Sequence, residues 1–168
     1  MKTYVPLVAA GAAAALILAG CSGDGEVTDA SPSPSGSDAL GFGADADVAT
    51  LAEIDWSEDA DGVPTLDFEQ PSSVGETATL VLDTGDGDAI ESGSMITLDY
   101  TITSGGDGTV LYSTYDAEAP ESLLVDQGTL TPVLWDALSA SSTGADILFA
   151  SIDGTAEDPE QATVYMAL

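Results

Sequence analysis

The sequence predicts an α+β fold: an antiparallel sheet accompanied by a single short helix. Three observations carry that expectation. Residues 95–103 alternate, with Ile96, Leu98, Tyr100 and Ile102 on one face and Thr97, Asp99, Thr101 and Thr103 on the other, the period of a half-buried strand. Further short apolar runs are punctuated by Gly85-Asp86-Gly87-Asp88, Gly105-Gly106-Asp107-Gly108 and Asp153-Gly154, all turn signals. One stretch alone, after Thr131, has helical periodicity, so strands dominate.

Taken in order, residues 1–20 read as an export signal. Met1-Lys2-Thr3 is a short positive start, and Val5 to Gly20 is an apolar, alanine-rich run of sixteen residues, below the roughly 20 that a spanning helix needs. It closes on Leu18-Ala19-Gly20-Cys21, which resembles the bacterial lipobox, so Cys21 is the expected lipidation site. No paired arginines precede the run, which points to the general secretory route. Residues 21–47 are rich in Ser, Gly, Asp, Ala and Pro, including Ser31-Pro32-Ser33-Pro34-Ser35. Such a segment buries too little apolar surface to offset its chain entropy and is expected to be a disordered tether.

Residues 48–77 form an N-terminal extension, and 78–168 form the main domain. Its expected strands are Thr79–Leu82, the alternating run at 95–103, Thr109–Tyr112, Leu123–Val125, Ile147–Ile152 and Thr163–Leu168. For the helix, Thr131 is a good N-cap, Pro132 suits the first helical position and Asp136 lies near the positive end. Leu130, Leu134, Ala137 and Leu138 make one apolar stripe, and Ser141-Ser142-Thr143-Gly144 ends the element.

Charge narrows the chemistry. The chain has 30 acidic residues against one basic residue, for a net charge of −29, and the basic one is Lys2 in the export signal. A mature chain without cations repels nucleic-acid phosphates and anionic membrane surfaces, so nucleic-acid binding is excluded and membrane contact runs through the lipid alone. There is no His for a catalytic triad or zinc, and the single Cys belongs to the anchor, which leaves no thiol nucleophile or disulfide. Calcium patterns fail. A loop starting at Asp86 has Asp88 at position 3 but Ile90 at position 5, and Val110 breaks a nonapeptide-type repeat at Gly105. Asp158 and Glu160 read as solvated loop charges. No metal or other cofactor is expected.

The order of these elements resembles the FKBP-type peptidyl-prolyl isomerases over residues 78–168. The residues that carry it run in series: Gly85-Asp86-Gly87, then Gly93 through Tyr100 entering a strand, then Asp107-Gly108-Thr109-Val110-Leu111-Tyr112-Ser113-Thr114. Pro120, the helix, Thr143-Gly144 and Ala162-Thr163-Val164 follow at family-like spacing. Glu53-Ile54-Asp55-Trp56 and Val63-Pro64-Thr65-Leu66 resemble the extension that precedes such domains in actinobacterial envelope lipoproteins. The resemblance implies a five-stranded antiparallel sheet wrapped around the helix, with an apolar proline pocket between them.

Carried over residue by residue, that pocket falls on Tyr100, Leu111, Tyr112, Leu130, Thr131, Leu134 and Met166, with no catalytic acid or base and no metal. Several positions depart from the family. Leu111 and Met166 stand where phenylalanines are expected, Tyr112 where an aspartate is, and Leu134 where a tryptophan is. Glu121 replaces the aromatic after Pro120, Trp135 lies about 100° around the helix, and the stretch from Gly154 to Gln161 is shorter than the family's flap. The implied function is a weak proline isomerase, a folding factor for proline-containing exported polypeptides, lipid-anchored on the outer side of the cell membrane and monomeric. Two alternatives stand beside it: an FKBP-like module that binds peptides or partners without catalysis, and an unrelated acidic binding lipoprotein. The chain stops inside an apolar strand at Tyr165-Met166-Ala167-Leu168, which leaves room for a second domain beyond it.

Overall fold

The computed structural model describes residues 39–152 and 163–168. The export segment, Cys21, most of the tether, the Asp153-Gly154 turn, the Gly154–Gln161 stretch, Asp158 and Glu160 lie outside the described residues. Among the described residues, ten strands and three helices follow in chain order: β1 (Leu40–Phe42), α1 (Asp45–Ala52), β2 (Asp55–Glu58), β3 (Pro64–Asp67), β4 (Ala78–Asp83), β5 (Met95–Leu98), β6 (Thr101–Ser104), β7 (Val110–Ser113), α2 (Thr114–Ala117), β8 (Glu121–Leu124), α3 (Pro132–Ser139), β9 (Asp146–Ile152) and β10 (Thr163–Ala167). The fold is α+β with antiparallel strand pairing throughout these ladders.

The main sheet has six strands in the order β1-β4-β9-β10-β6-β7. The run expected to be one strand over 95–103 is two. β5 leaves the sheet to pair with β8, and β6 stays between β10 and β7. The break at Asp99 and Tyr100 is held by Thr114, a fully buried residue at the start of α2. Its hydroxyl accepts from the Tyr100 N–H at 2.8 Å, and its own N–H donates to the Tyr100 carbonyl at 3.0 Å. The same hydroxyl can donate to Asp99 Oδ1 at 3.2 Å or to the Tyr100 carbonyl at 3.3 Å. Each buried backbone group thus keeps a partner where the ladder is interrupted.

The tether expected to run to residue 47 already contains structure. Leu40 and Phe42 flank Gly41 in β1, which adds a sixth strand against β4, and α1 begins at Asp45. Asp47 on α1 is buried because its carboxylate accepts the N–H groups of Gly75 and Glu76, at 2.7 Å and 3.1 Å. Leu51 and Ile54 then join Val74, Ala78, Leu80, Leu148, Ala150 and Tyr165 in one core on the outer face of the sheet. Tyr165 meets the Phe68 ring edge-on at 5.2 Å, and its phenol shares a hydrogen bond with Ser72 Oγ at 2.6 Å. The β2–β3 hairpin covers Thr101, whose hydroxyl donates to the Pro64 carbonyl at 3.4 Å. Thr101 and Thr103 are therefore buried, although they lie on the polar side of the alternating pattern.

The opposite face carries α3. Thr131 occupies the N-cap position with Pro132 following it, as the sequence suggests. The expected stripe is in place: Ala137 and Leu138 are buried with Val81 and Ile147, and Leu130, Leu134, Phe42, Ile96 and Leu123 pack around them. The small β5–β8 sheet contributes Ile96 and Leu123 to this second core while Met95 and Leu124 face solvent. No helix among the described residues is long and apolar enough to cross a membrane.

Candidate functional site

Strand register places one row of side chains straight across the helix-bearing face of the sheet. Tyr112 on β7 faces Ile102, which faces Met166, which faces Phe149, which faces Thr79, which faces Phe42 on β1. Because strand partners point to the same side, these six residues share the α3 side; Ala78, Leu80, Leu148 and Tyr165, their neighbours in sequence, lie in the core on the other side. The row is apolar but for the Tyr112 phenol and for Thr79, whose Oγ1 is fully buried without a hydrogen-bond partner among the described residues.

At the β7 end of this row the Tyr100 ring packs on Tyr112, with centroids 5.7 Å apart and planes tilted by 45°. Tyr100 is only 8% exposed and Tyr112 is 39% exposed, so the pair offers one anchored ring and one open one. Glu121, at the start of β8, serves both phenols. Tyr112 Oη donates to Glu121 Oε1 at 3.5 Å, and burial, followed by hydrogen bonding and charge from Glu121, pushes the Tyr100 phenol up to about 12. The Tyr100 phenol therefore stays a protonated donor across the physiological range.

Of the seven residues assigned to the pocket by resemblance, the structure brings Tyr100 and Tyr112 together and sets Met166 on the same face, one strand beyond Ile102. Leu130 and Leu134 pack in the α3 core, and Thr131 is exposed at the helix start. Leu111 stands apart. It is the extra residue of a bulge, since Ile102 pairs with Tyr112 and Thr103 with Val110, and it is 57% exposed. By resemblance Glu121 is only a replacement for an aromatic, and neither Ile102 nor Phe149 falls on a pocket position. Strand parity is the one signal that could have placed Ile102 and Phe149 there.

A cavity of about 230 Å³ lies elsewhere, at the C-terminal end of α3. Its lining includes the aliphatic Ile96, Leu138 and Ile147 and the partly exposed Asp99, Tyr115 and Asp146, and none of the seven pocket residues. No cluster of three or more metal-ligating side chains occurs among the described residues. With only carboxylates, phenols and hydroxyls at either place, neither has an imidazole, thiol or amine to act as base or nucleophile. What the tyrosine site can do is present apolar surface and phenolic donors.

No family model matches this sequence, and no curated protein matches it. Among solved structures, the chain is similar to FkpA from Escherichia coli, with 17% identity, coverage of 67% of this chain and 48% of that one, and a TM-score of 0.42. It is similar to the N-terminal domain of FKBP42 from Arabidopsis thaliana, with 16% identity, coverage of 62% and 91%, and a TM-score of 0.40. A multi-domain immunophilin from Arabidopsis thaliana gives 14% identity, coverage of 59% and 43%, and a TM-score of 0.41. The matched region spans less than half of the FkpA and multi-domain chains.

Proposed function

We propose that this chain is an envelope lipoprotein whose folded part engages prolyl segments of exported polypeptides and has weak FKBP-type peptidyl-prolyl isomerase activity. The observation that carries the reading is the Tyr100–Tyr112 pair at the open end of an apolar row, on the face of a sheet that also packs a helix. Rotation about an X–Pro bond has a barrier of about 18–20 kcal/mol, set by amide resonance. Moving the imide against apolar surface disfavours its charge-separated planar form, and this needs no His, Lys or Cys. Weakness follows from the surface. Burying about 100 Å² of prolyl ring is worth about 2.5 kcal/mol, below the roughly 4 kcal/mol of a millimolar complex. Residues flanking the proline must supply the rest, and an all-acidic domain favours flanking Lys or Arg. Cys21 carries the diacylglyceryl anchor, and the segment after it holds the domain off the membrane.

A second reading, a peptide-binding module without catalysis, is favoured by the placement of the 230 Å³ cavity away from every one of the seven pocket residues. Exchange NMR on a proline-containing peptide with flanking lysines separates the two. Isomerase action predicts faster cis–trans exchange at substoichiometric protein, lost in Tyr112→Ala. Exchange equal to buffer with peptide still bound supports the second reading, and exchange equal to buffer with no binding refutes both.

A further inference from the structure

The cavity at the end of α3 has a composition that the proline reading does not use. Its lining combines aliphatic side chains, Ile96, Leu138 and Ile147, with the partly exposed Asp99, Asp146 and Tyr115. Gly85 helps to shape the adjoining wall: at a φ of +75° its backbone lies so close to the 142–145 turn that a Cβ would sit 2.6 Å from the Ser142 carbonyl. We propose that this cavity is a binding site for a small organic cation, an ammonium group carried on a compact apolar body.

Size and charge both select that class. A cavity of about 150 Å³ is enough to admit a benzene ring, so 230 Å³ accommodates a ring with a short aminomethyl arm. The carboxylates of the lining have no cationic side chain to balance them. Asp146 pairs across the ladder with Asp83, and no Lys, Arg or His occurs after Lys2 anywhere in the chain. Asp99 is held by the Thr114 hydroxyl, whereas the half-buried Asp146 carboxylate accepts no hydrogen bond from the described residues. Burial, then the charges of Glu58 and Asp83, raises the Asp146 pKa, the cost of a carboxylate lacking its counterion. An ammonium in the cavity beside Asp146 removes that cost, and the Tyr115 ring, which also lines the cavity, adds a cation–π face. An anion is repelled, and a bare metal ion makes no use of the aliphatic side chains in the lining.

Any polyanion collects cations, so the test must separate this cavity from the general field. Calorimetric titration of the full chain in 0.15 M salt would compare benzylammonium with benzyl alcohol, which lacks the charge, and with methylammonium, which lacks the body. Expected is saturable one-to-one binding of benzylammonium, at least about tenfold tighter than either control. Asp146→Asn and Asp99→Asn should each weaken it about fivefold or more, while Asp67→Asn, on the exposed β3 surface, leaves it unchanged. Ring-current shifts should appear at the methyls of Ile96 and Ile147 and not at Ile102. Equal binding of either control, equal loss in Asp67→Asn, or shifts centred on Ile102 would overturn the proposal.

Discussion

Replacing Thr114 with valine keeps the shape of a fully buried side chain and removes only its hydroxyl. That hydroxyl is the acceptor for the Tyr100 N–H at 2.8 Å, at the point where β5 leaves the main sheet. In Thr114→Val the buried N–H has no acceptor, which costs about 1–3 kcal/mol, and Asp99 loses the donor at 3.2 Å. A net loss of about 2 kcal/mol is expected, equivalent to a melting-temperature fall of about 6–10 °C for a domain of this size. Thr114→Ser keeps the hydroxyl and loses one methyl, so it should cost only about 0.8 kcal/mol. Urea unfolding followed by near-UV absorbance or fluorescence reads both variants, and the slope against urea should not change. If valine proves as stable as threonine, or serine worse than valine, the hydroxyl is not what holds the strand break.

Three further outcomes follow from the packing. Thr79→Val removes a buried hydroxyl with no partner among the described residues from a strand position that suits a β-branched side chain, so it should stabilise the fold by about 1 kcal/mol in the same unfolding assay. Asp146 has a raised pKa from burial and from Glu58 and Asp83, so folding loses stability as the pH rises from the unfolded carboxylate range of about 4 through the raised folded value, and the loss is complete above it. Asp146→Asn should therefore be more stable than the natural chain at pH 7, with the gain shrinking as the pH falls toward about 4. A chain beginning at Ala78 loses Leu51, Ile54 and Val74 from the outer core. Each buried side chain is worth about 1.5–3 kcal/mol, so the shortened chain should give a circular-dichroism spectrum without the native β signal.

Much of this architecture is written in local pattern. The β4, β7, β9 and β10 strands sit within a residue or two of where alternation and turn residues put them, and α3 starts at the Thr131-Pro132 signal with its stripe against the sheet. What local pattern misses depends on partners distant in sequence. The 95–103 run reads as unbroken because nothing within it announces that Thr114 will cap its middle. β1 is hidden because Leu40 and Phe42 are two apolar residues in a polar tract, and their value appears only beside Val81 and Thr79. Asp47 falls in the expected tether, and its place becomes clear only from its carboxylate accepting two backbone N–H groups from the loop before β4. At the candidate site, the Tyr100–Tyr112 pairing lies within reach of strand parity, but the bulge that turns Leu111 outward does not. The role of Glu121 is equally hidden, since its two phenol partners come from other elements.

If prolyl peptides dock on the helix-bearing face beside Tyr112, the two methionines of the described region report on it directly. Met166 lies on that face, one strand beyond Ile102, while Met95 is exposed on the outer side of the β5–β8 sheet. In a carbon-13 methyl spectrum of the full chain, titration with a lysine-flanked proline peptide should shift the Met166 methyl and leave Met95 in place. The same peptide with alanine for proline should shift neither. A Met166 signal that stays still at saturating peptide, or one that moves equally with the alanine peptide, would contradict the account.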